Sequence, residues 1–150
     1  MKSFLLKDGH PTIKWGMLED EIYFEGNVPE GFALAVSPWN SNYIIVDIDN
    51  KPEKINGFDN IPENIYKLLM ESFNYKTKSG AHVWLKYTGE KQLKNCATKF
   101  GLDLRTNKGY VKWYLDKDIR SYIHLVKETS PELNEWLELL FAKSDEREKR

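Results

Sequence analysis

The stretch Tyr43-Ile44-Ile45-Val46-Asp47-Ile48-Asp49 decides how the rest of the chain is read. It is apolar and β-branched, too short for a helix of typical length, and reads as a largely buried strand. Asn50-Lys51-Pro52 ends it, because proline donates no ladder hydrogen bond. Side chains alternate across a strand, so Asp47 and Asp49 leave one face, roughly 7 Å apart along the backbone. Ile44, Val46 and Ile48 point the other way, toward a core. Two acids at the end of an apolar strand repel each other, and a divalent cation removes that cost. Carboxylates so spaced suit one Mg²⁺, or two metals about 3.5–4 Å apart as in phosphoryl and nucleotidyl transfer. The same pair also arises where a strand simply leaves its sheet for solvent.

Outward from this strand, Phe32-Ala-Leu-Ala-Val36 reads as a short strand behind a loop-rich start punctuated by Gly9, Pro11, Gly16, Gly26, Pro29 and Gly31. Downstream, Pro62 opens a helix whose Ile65, Leu68, Leu69, Ser72 and Phe73 follow amphipathic spacing to about residue 73. Strands are predicted over Ala81–Tyr87, Leu102–Arg105, Gly109–Tyr114 and Ser121–Val126. Ser130-Pro131 caps a second helix presenting Leu133, Trp136, Leu137, Leu140 and Phe141 on one face. The order implies an α+β fold, one mostly antiparallel sheet with helices packed on one side. Residues 1–142 form the domain and 143–150 a charged tail that frays.

A chain of 150 residues, 41% apolar and 13% aromatic, has core enough without staples, burying roughly 68–70% of its unfolded surface. The single Cys96 excludes an intramolecular disulfide, and one Cys with three dispersed His makes no zinc cluster. The apolar run after Met1 is too short for a signal peptide, and no stretch nears the roughly 18 apolar residues of a span. The expectation is a soluble, cytoplasmic protein of a reducing compartment with no membrane partner. Its net charge of −1 conceals a segregation. Residues 76–112 carry nine basic and two acidic side chains, a net of +7, leaving 13 basic and 21 acidic elsewhere, a net of −8. Such a field suits an anionic partner, although lysines also make ordinary solvated faces.

Two further constellations fall in that basic segment. Lys76-Thr-Lys78-Ser79-Gly80-Ala81-His82 is a turn whose N–H groups, hydroxyls and lysines suit phosphate. His82, Trp84 and Lys86 then share one strand face, with Ala81, Val83, Leu85 and Tyr87 on the other. A histidine leaving such a turn can donate to a triphosphate, or be a half-buried hydrogen-bonding residue without catalytic duty. In Gly101-Leu-Asp103-Leu-Arg105, Asp103 and Arg105 share a face. Either they pair with each other, or Asp103 is a third metal carboxylate and Arg105 a fork for phosphate.

Taken in order, Ile-Ile-Val-Asp47-Ile-Asp49, Thr-Lys-Ser-Gly80-Ala-His82 and Gly-Leu-Asp103-Leu-Arg resemble the three motifs of the archaeo-eukaryotic primase superfamily, and within it the bifunctional primase–polymerase domain of phages and plasmids. The resemblance runs from about residue 5 to 141, including Pro11…Lys14-Trp15, the Tyr122 strand and Pro131…Trp136-Leu137. It implies an RRM-like sheet joined to a smaller α/β unit, with the site in the cleft between them. It also implies that Asp47, Asp49 and Asp103 coordinate two Mg²⁺ or Mn²⁺ ions. His82 would bind the phosphates of an incoming NTP or dNTP, helped by Lys78, Ser79, Gly80 and Arg105. A primer or initiating nucleotide would be extended on a single-stranded DNA template. Lys76, Lys86, Lys91, Lys94, Lys99 and Lys112 would hold that template, with Trp84 or Trp113 for base stacking. A bacterial or archaeal host, with phage or mobile-element origin, goes with the family.

The chain departs from the pattern in two places. Ser79-Gly-Ala-His82 is one residue shorter than the Ser-Gly-Gly-x-His of many relatives, and Lys112-Trp-Tyr-Leu-Asp stands where relatives often have Pro-Pro-Ser. Two other functions suit the same residues. One is a non-catalytic nucleotide- or nucleic-acid-binding module acting with a helicase or accessory primase partner. The other is a metal-dependent nuclease or phosphodiesterase.

Overall fold

The computed structural model describes residues 1–17, 20–39 and 41–144, so most of the expected charged tail lies outside the described residues. The strands are β1 (Lys2–Lys7), β2 (His10–Pro11), β3 (Phe32–Ser37), β4 (Tyr43–Lys51), β5 (Ile55–Asn56), β6 (Asn74–Lys76), β7 (Gly80–Lys86), β8 (Leu102–Arg105), β9 (Val111–Lys112) and β10 (Lys127–Glu128). The helices are α1 (Glu63–Met70) and α2 (Pro131–Ala142). The fold is α+β, as expected, but its strands form two sheets. No helix among the described residues is long and apolar enough to cross a membrane.

The larger sheet is built on the antiparallel pair β4–β7, in register from Tyr43 opposite Lys86 to Asp49 opposite Gly80. On its outer side β7 pairs with β6, and with β10 in parallel; β4 pairs with β8 and, at its end, β5. The alternation read from the sequence holds. Ile44, Val46, Ile48, Val83, Leu85, Leu102 and Leu104 face one core with Ile65 and Leu69 of α1 and Leu133, Leu137 and Leu140 of α2. Ser130 caps α2 as its position predicts, its side chain accepting from the Leu133 N–H.

The opposite face of the larger sheet buries Ile45, Tyr75 and Trp84 with Met1, Val36, Val111, Trp113 and Ile119. Those partners come largely from the smaller antiparallel sheet, ordered β2-β1-β3-β9. Both α-helices pack against the larger sheet, so the second unit is a β layer rather than the smaller α/β unit expected.

Three local expectations are corrected. The helix ends at Met70, not near Phe73, because the Asn74 amide donates to the Met70 and Ser72 carbonyls and turns the chain. Phe73 then sits in the core on the other side of the sheet, so its helical spacing was fortuitous. Ser121–Val126 forms no strand; 3₁₀ turns at Ile119–Ser121 and Ile123–Leu125 carry the chain. Asp118 starts them by accepting from the Arg120 N–H, and Tyr122, Ile123 and Val126 still reach the core. Finally, the N-terminal residues form β1, hidden in the sequence because a lysine occupies a core-facing position. Lys2 is fully buried with its amine donating to the Trp15 carbonyl at 2.6 Å and lying 3.5 Å from the centre of the Trp39 ring.

Candidate metal centre

Asp47 is flanked on both sides. Sheet register sets it opposite His82 of β7 and opposite Asp103 of β8. Paired residues on neighbouring strands share a face, and Asp49 lies two positions beyond Asp47, so all four side chains emerge together. One oxygen from each of Asp47, Asp49 and Asp103 lies within 4.8 Å of the others, a cluster that can hold a metal ion.

Backbone crowding fixes the end of β4 that carries these acids. The Asp49 N–H donates to the Gly101 carbonyl at 2.9 Å, and the Asn50 N–H to the Ser79 carbonyl at 2.7 Å. A Cβ at Gly80 would lie 1.7 Å from the Ile48 carbonyl oxygen. Gly101 has φ +75° and lies against Gly57 and the Asp49 carbonyl. Gly80, read from sequence as part of a phosphate turn, thus has a packing reason of its own: β7 approaches β4 closely there.

The electrostatics are those of partly buried carboxylates whose neighbouring cations, Lys51 and Arg105, do not fully offset burial. Burial pushes the Asp49 carboxyl above the usual carboxylate range, and repulsion from Asp47 adds to it. Burial also raises Asp103, opposed by the Arg105 guanidinium. Both shifts disfavour the charged form, and a bound cation acts against them.

Arg105 donates to Asp103 Oδ2 at 3.2 Å, while the Thr98 N–H donates to Oδ1 at 3.3 Å. Asp103 pairs with Arg105, the plainer of the two readings, and also lies in the carboxylate cluster. Thr98 carries no sequence signal, because a single threonine in a loop resembles any other.

His82 Nε2 lies 3.4 Å from Asp47 Oδ1, and its Nδ1 lies 3.1 Å from the Tyr75 hydroxyl. The Trp84 indole N–H donates to the same hydroxyl at 3.2 Å. The His82 side chain is 6% exposed.

Lys78 and Ser79 adjoin the Asp49 end of β4, where the Asn50 N–H donates to the Ser79 carbonyl. With Asn50, Pro52, Phe58, Lys76 and Gly80 they line a cavity of about 430 Å³ that the three carboxylates do not line. Lys76 is in register with Ala81, on the face away from His82. Lys86 shares the His82 face but stands opposite Tyr43, about 13 Å further along β7. Lys91 lines another cavity, of about 400 Å³, with Tyr43, Tyr87 and Thr106. Lys94, Lys99 and Lys112 are exposed. The basic segment is thus spread over both faces and both ends of the larger sheet.

Neither tryptophan offered for stacking has a free face. Trp84 is fully buried, and Trp113 is buried with its indole N–H donating to the Lys117 carbonyl at 2.8 Å. The exposed ring near the carboxylates is Tyr114, 43% exposed, its centre 6.2 Å from that of His82 and 5.9 Å from the Lys112 amine. Alternation could have found it, since Tyr114 follows the core residue Trp113.

Compared with known proteins, the chain matches no family model and no curated sequence significantly. Fold and site alone therefore define its class. It is an α+β protein with a three-carboxylate candidate metal centre at the end of a central strand.

Proposed function

We propose that the chain is a metal-dependent nucleotidyltransferase of the primase–polymerase type, extending a primer or initiating nucleotide with NTP or dNTP on a single-stranded DNA template. The observation that carries this reading is the meeting of Asp47, Asp49 and Asp103 within 4.8 Å on neighbouring strands. The antiparallel β6-β7-β4-β8 sheet, with α1 between β4 and β6 in sequence, is compatible with this reading.

The donor set fits the group this reading requires. All three ligands are hard carboxylate oxygens, the chemistry of Mg²⁺ and Mn²⁺, and Lys51 and Arg105 offset their mutual repulsion only in part. A pair of such ions would lower the pKa of the attacking 3′-hydroxyl and offset charge on the leaving group. The hydroxyl oxygen bonds to the α-phosphorus, the α–β anhydride breaks, pyrophosphate leaves and the hydroxyl proton passes to solvent. Arg105, 32% exposed, presents a planar fork suited to phosphate oxygens. Tyr114 presents a ring to a base, and Lys112 a charge to the strand backbone.

The test is a polymerase assay on primed and unprimed templates, comparing NTPs with dNTPs in Mg²⁺ and in Mn²⁺. Metal-dependent product lost in Asp47→Ala supports the reading. Neither extension nor dinucleotide synthesis, together with no nucleotide binding, overturns it. A second reading, a binding module acting with a helicase or accessory primase partner, is favoured by one observation: Arg105 is paired with Asp103, and Lys78 and Ser79 face another cavity. Metal-dependent nucleotide binding without product would select it.

A further inference from the structure

We propose that His82 is a positioning residue for Asp47, locked in one tautomer by Tyr75, rather than a group that donates to the substrate. This rests on Asp47 being a metal ligand.

The Trp84 indole nitrogen only donates, and it donates to the Tyr75 hydroxyl at 3.2 Å. The Tyr75 oxygen keeps one hydrogen of its own, and the neighbour available for it is His82 Nδ1 at 3.1 Å. With Nδ1 accepting, the ring hydrogen of neutral His82 sits on Nε2. That nitrogen faces Asp47 Oδ1 at 3.4 Å, and an ionised carboxylate only accepts. The chain of hydrogen bonds therefore runs one way, Trp84 to Tyr75 and Tyr75 to His82, and it turns the Nε2–H of His82 toward Asp47 Oδ1 at 3.4 Å. In the reverse tautomer the Nε2 lone pair would face the carboxylate, and the Tyr75 hydrogen would lose its acceptor.

The chain is held rigidly. Trp84 is fully exposed to no solvent, and Tyr75 and His82 are 8% and 5% exposed. Trp113 packs edge-on against Tyr75 at 5.3 Å between ring centres, and Tyr75 edge-on against His82 at 5.3 Å. Strand register supplies the rest, because Tyr75 pairs with His82 and His82 with Asp47 across three adjacent strands. A polar N–H held 3.4 Å from one carboxylate oxygen biases the direction in which the other faces a cation. This is the part that outer partners of metal ligands commonly play.

Two measurements test the assignment. Long-range ¹H–¹⁵N correlation spectra of the metal-free protein should show His82 as the Nε2–H tautomer; a neutral ring with its proton on Nδ1 overturns the proposal. Manganese titration followed by electron paramagnetic resonance should show Tyr75→Phe and His82→Ala each binding Mn²⁺ about 10-fold more weakly. His82→Gln, which keeps a donor near the Nε2 position, should recover most of that loss, whereas a purely structural role would give no such recovery. Circular dichroism establishes that each variant is folded. Wild-type protein that binds Mn²⁺ no better than Tyr75→Phe overturns the positioning role alone. Wild-type protein that binds no Mn²⁺ overturns the metal reading and this proposal together.

Discussion

Asp47 and Asp103, far apart in the chain, stand directly opposite each other on β4 and β8; Arg105 donates to Asp103, and His82 Nε2 lies 3.4 Å from Asp47. Two like charges in register across a sheet destabilise it unless a compensating charge is provided. Of this pair, Arg105 supplies such a charge to Asp103 alone.

Removing Asp47 should act oppositely on metal binding and on stability. Asp47→Asn is expected to bind Mn²⁺ far more weakly, beyond the roughly 10–100-fold that loss of an outer partner costs. The same substitution should leave the fold intact and raise its stability by about 1 kcal/mol in metal-free buffer, by relieving repulsion at a functional site. Urea denaturation and manganese titration of the same sample check both.

The raised Asp49 and Asp103 carboxyls predict a pH dependence of definite sign. A carboxyl that holds its proton more tightly in the folded state makes stability fall as pH rises, starting near the unfolded value of about 3.9 and ending above the raised folded value. Melting temperature in chelator should fall more, or rise less, across that window in the wild type than in Asp49→Asn or Asp103→Asn. The comparison is needed because Glu21, Asp116 and Asp118, whose carboxyls are held low, contribute with the opposite sign. Saturating Mn²⁺ should remove much of the contribution of the raised carboxyls, since the ion favours the charged forms. Identical profiles in the wild type and both variants would count against the raised carboxyls.

Gly80→Ala is expected to cost about 3 kcal/mol or more, because the new Cβ would meet the Ile48 carbonyl oxygen and force β7 away from β4. The displacement falls on the Asp49 end of β4, so metal affinity should fall with stability. Gly16→Ala, where the added Cβ meets nothing within 4 Å, serves as the control.

Tyr114 and Trp84 should respond in opposite ways. Tyr114→Ala is expected to change stability by no more than about 0.5 kcal/mol. It should weaken single-stranded DNA or nucleotide binding by about 1–3 kcal/mol if a base stacks on its ring. Trp84→Ala is expected to cost about 3–5 kcal/mol of stability, as expected of a fully buried indole. Fluorescence anisotropy with labelled oligonucleotide, beside denaturant melts, separates the two.

Much of this was legible because short-range periodicity carries it. The apolar alternation of Tyr43–Asp49 places two carboxylates on one face and three branched side chains on the other. The capped spacing of Ser130–Phe141 makes an amphipathic helix, and the structure bears both out. The errors came where a local pattern served a distant purpose. Phe73 extends a helical spacing but packs across the sheet; Ile123 and Val126 look like strand residues but reach the core from 3₁₀ turns; Lys2 breaks the alternation of β1 because Trp15 and Trp39 accommodate its amine.

The sequence by itself determined which side chains share a face, since alternation along a strand is a property of the backbone and needs no partner. Only the tertiary structure decided which strands are neighbours, because pairing depends on long-range register and on closure of the chain between them. That register brings Asp103 beside Asp47, turns His82 between Tyr75 and Asp47, and carries Lys78 and Ser79 into a different cavity. It also buries Trp84 and leaves Tyr114 exposed at the site, a choice made by which face of each strand the smaller sheet covers.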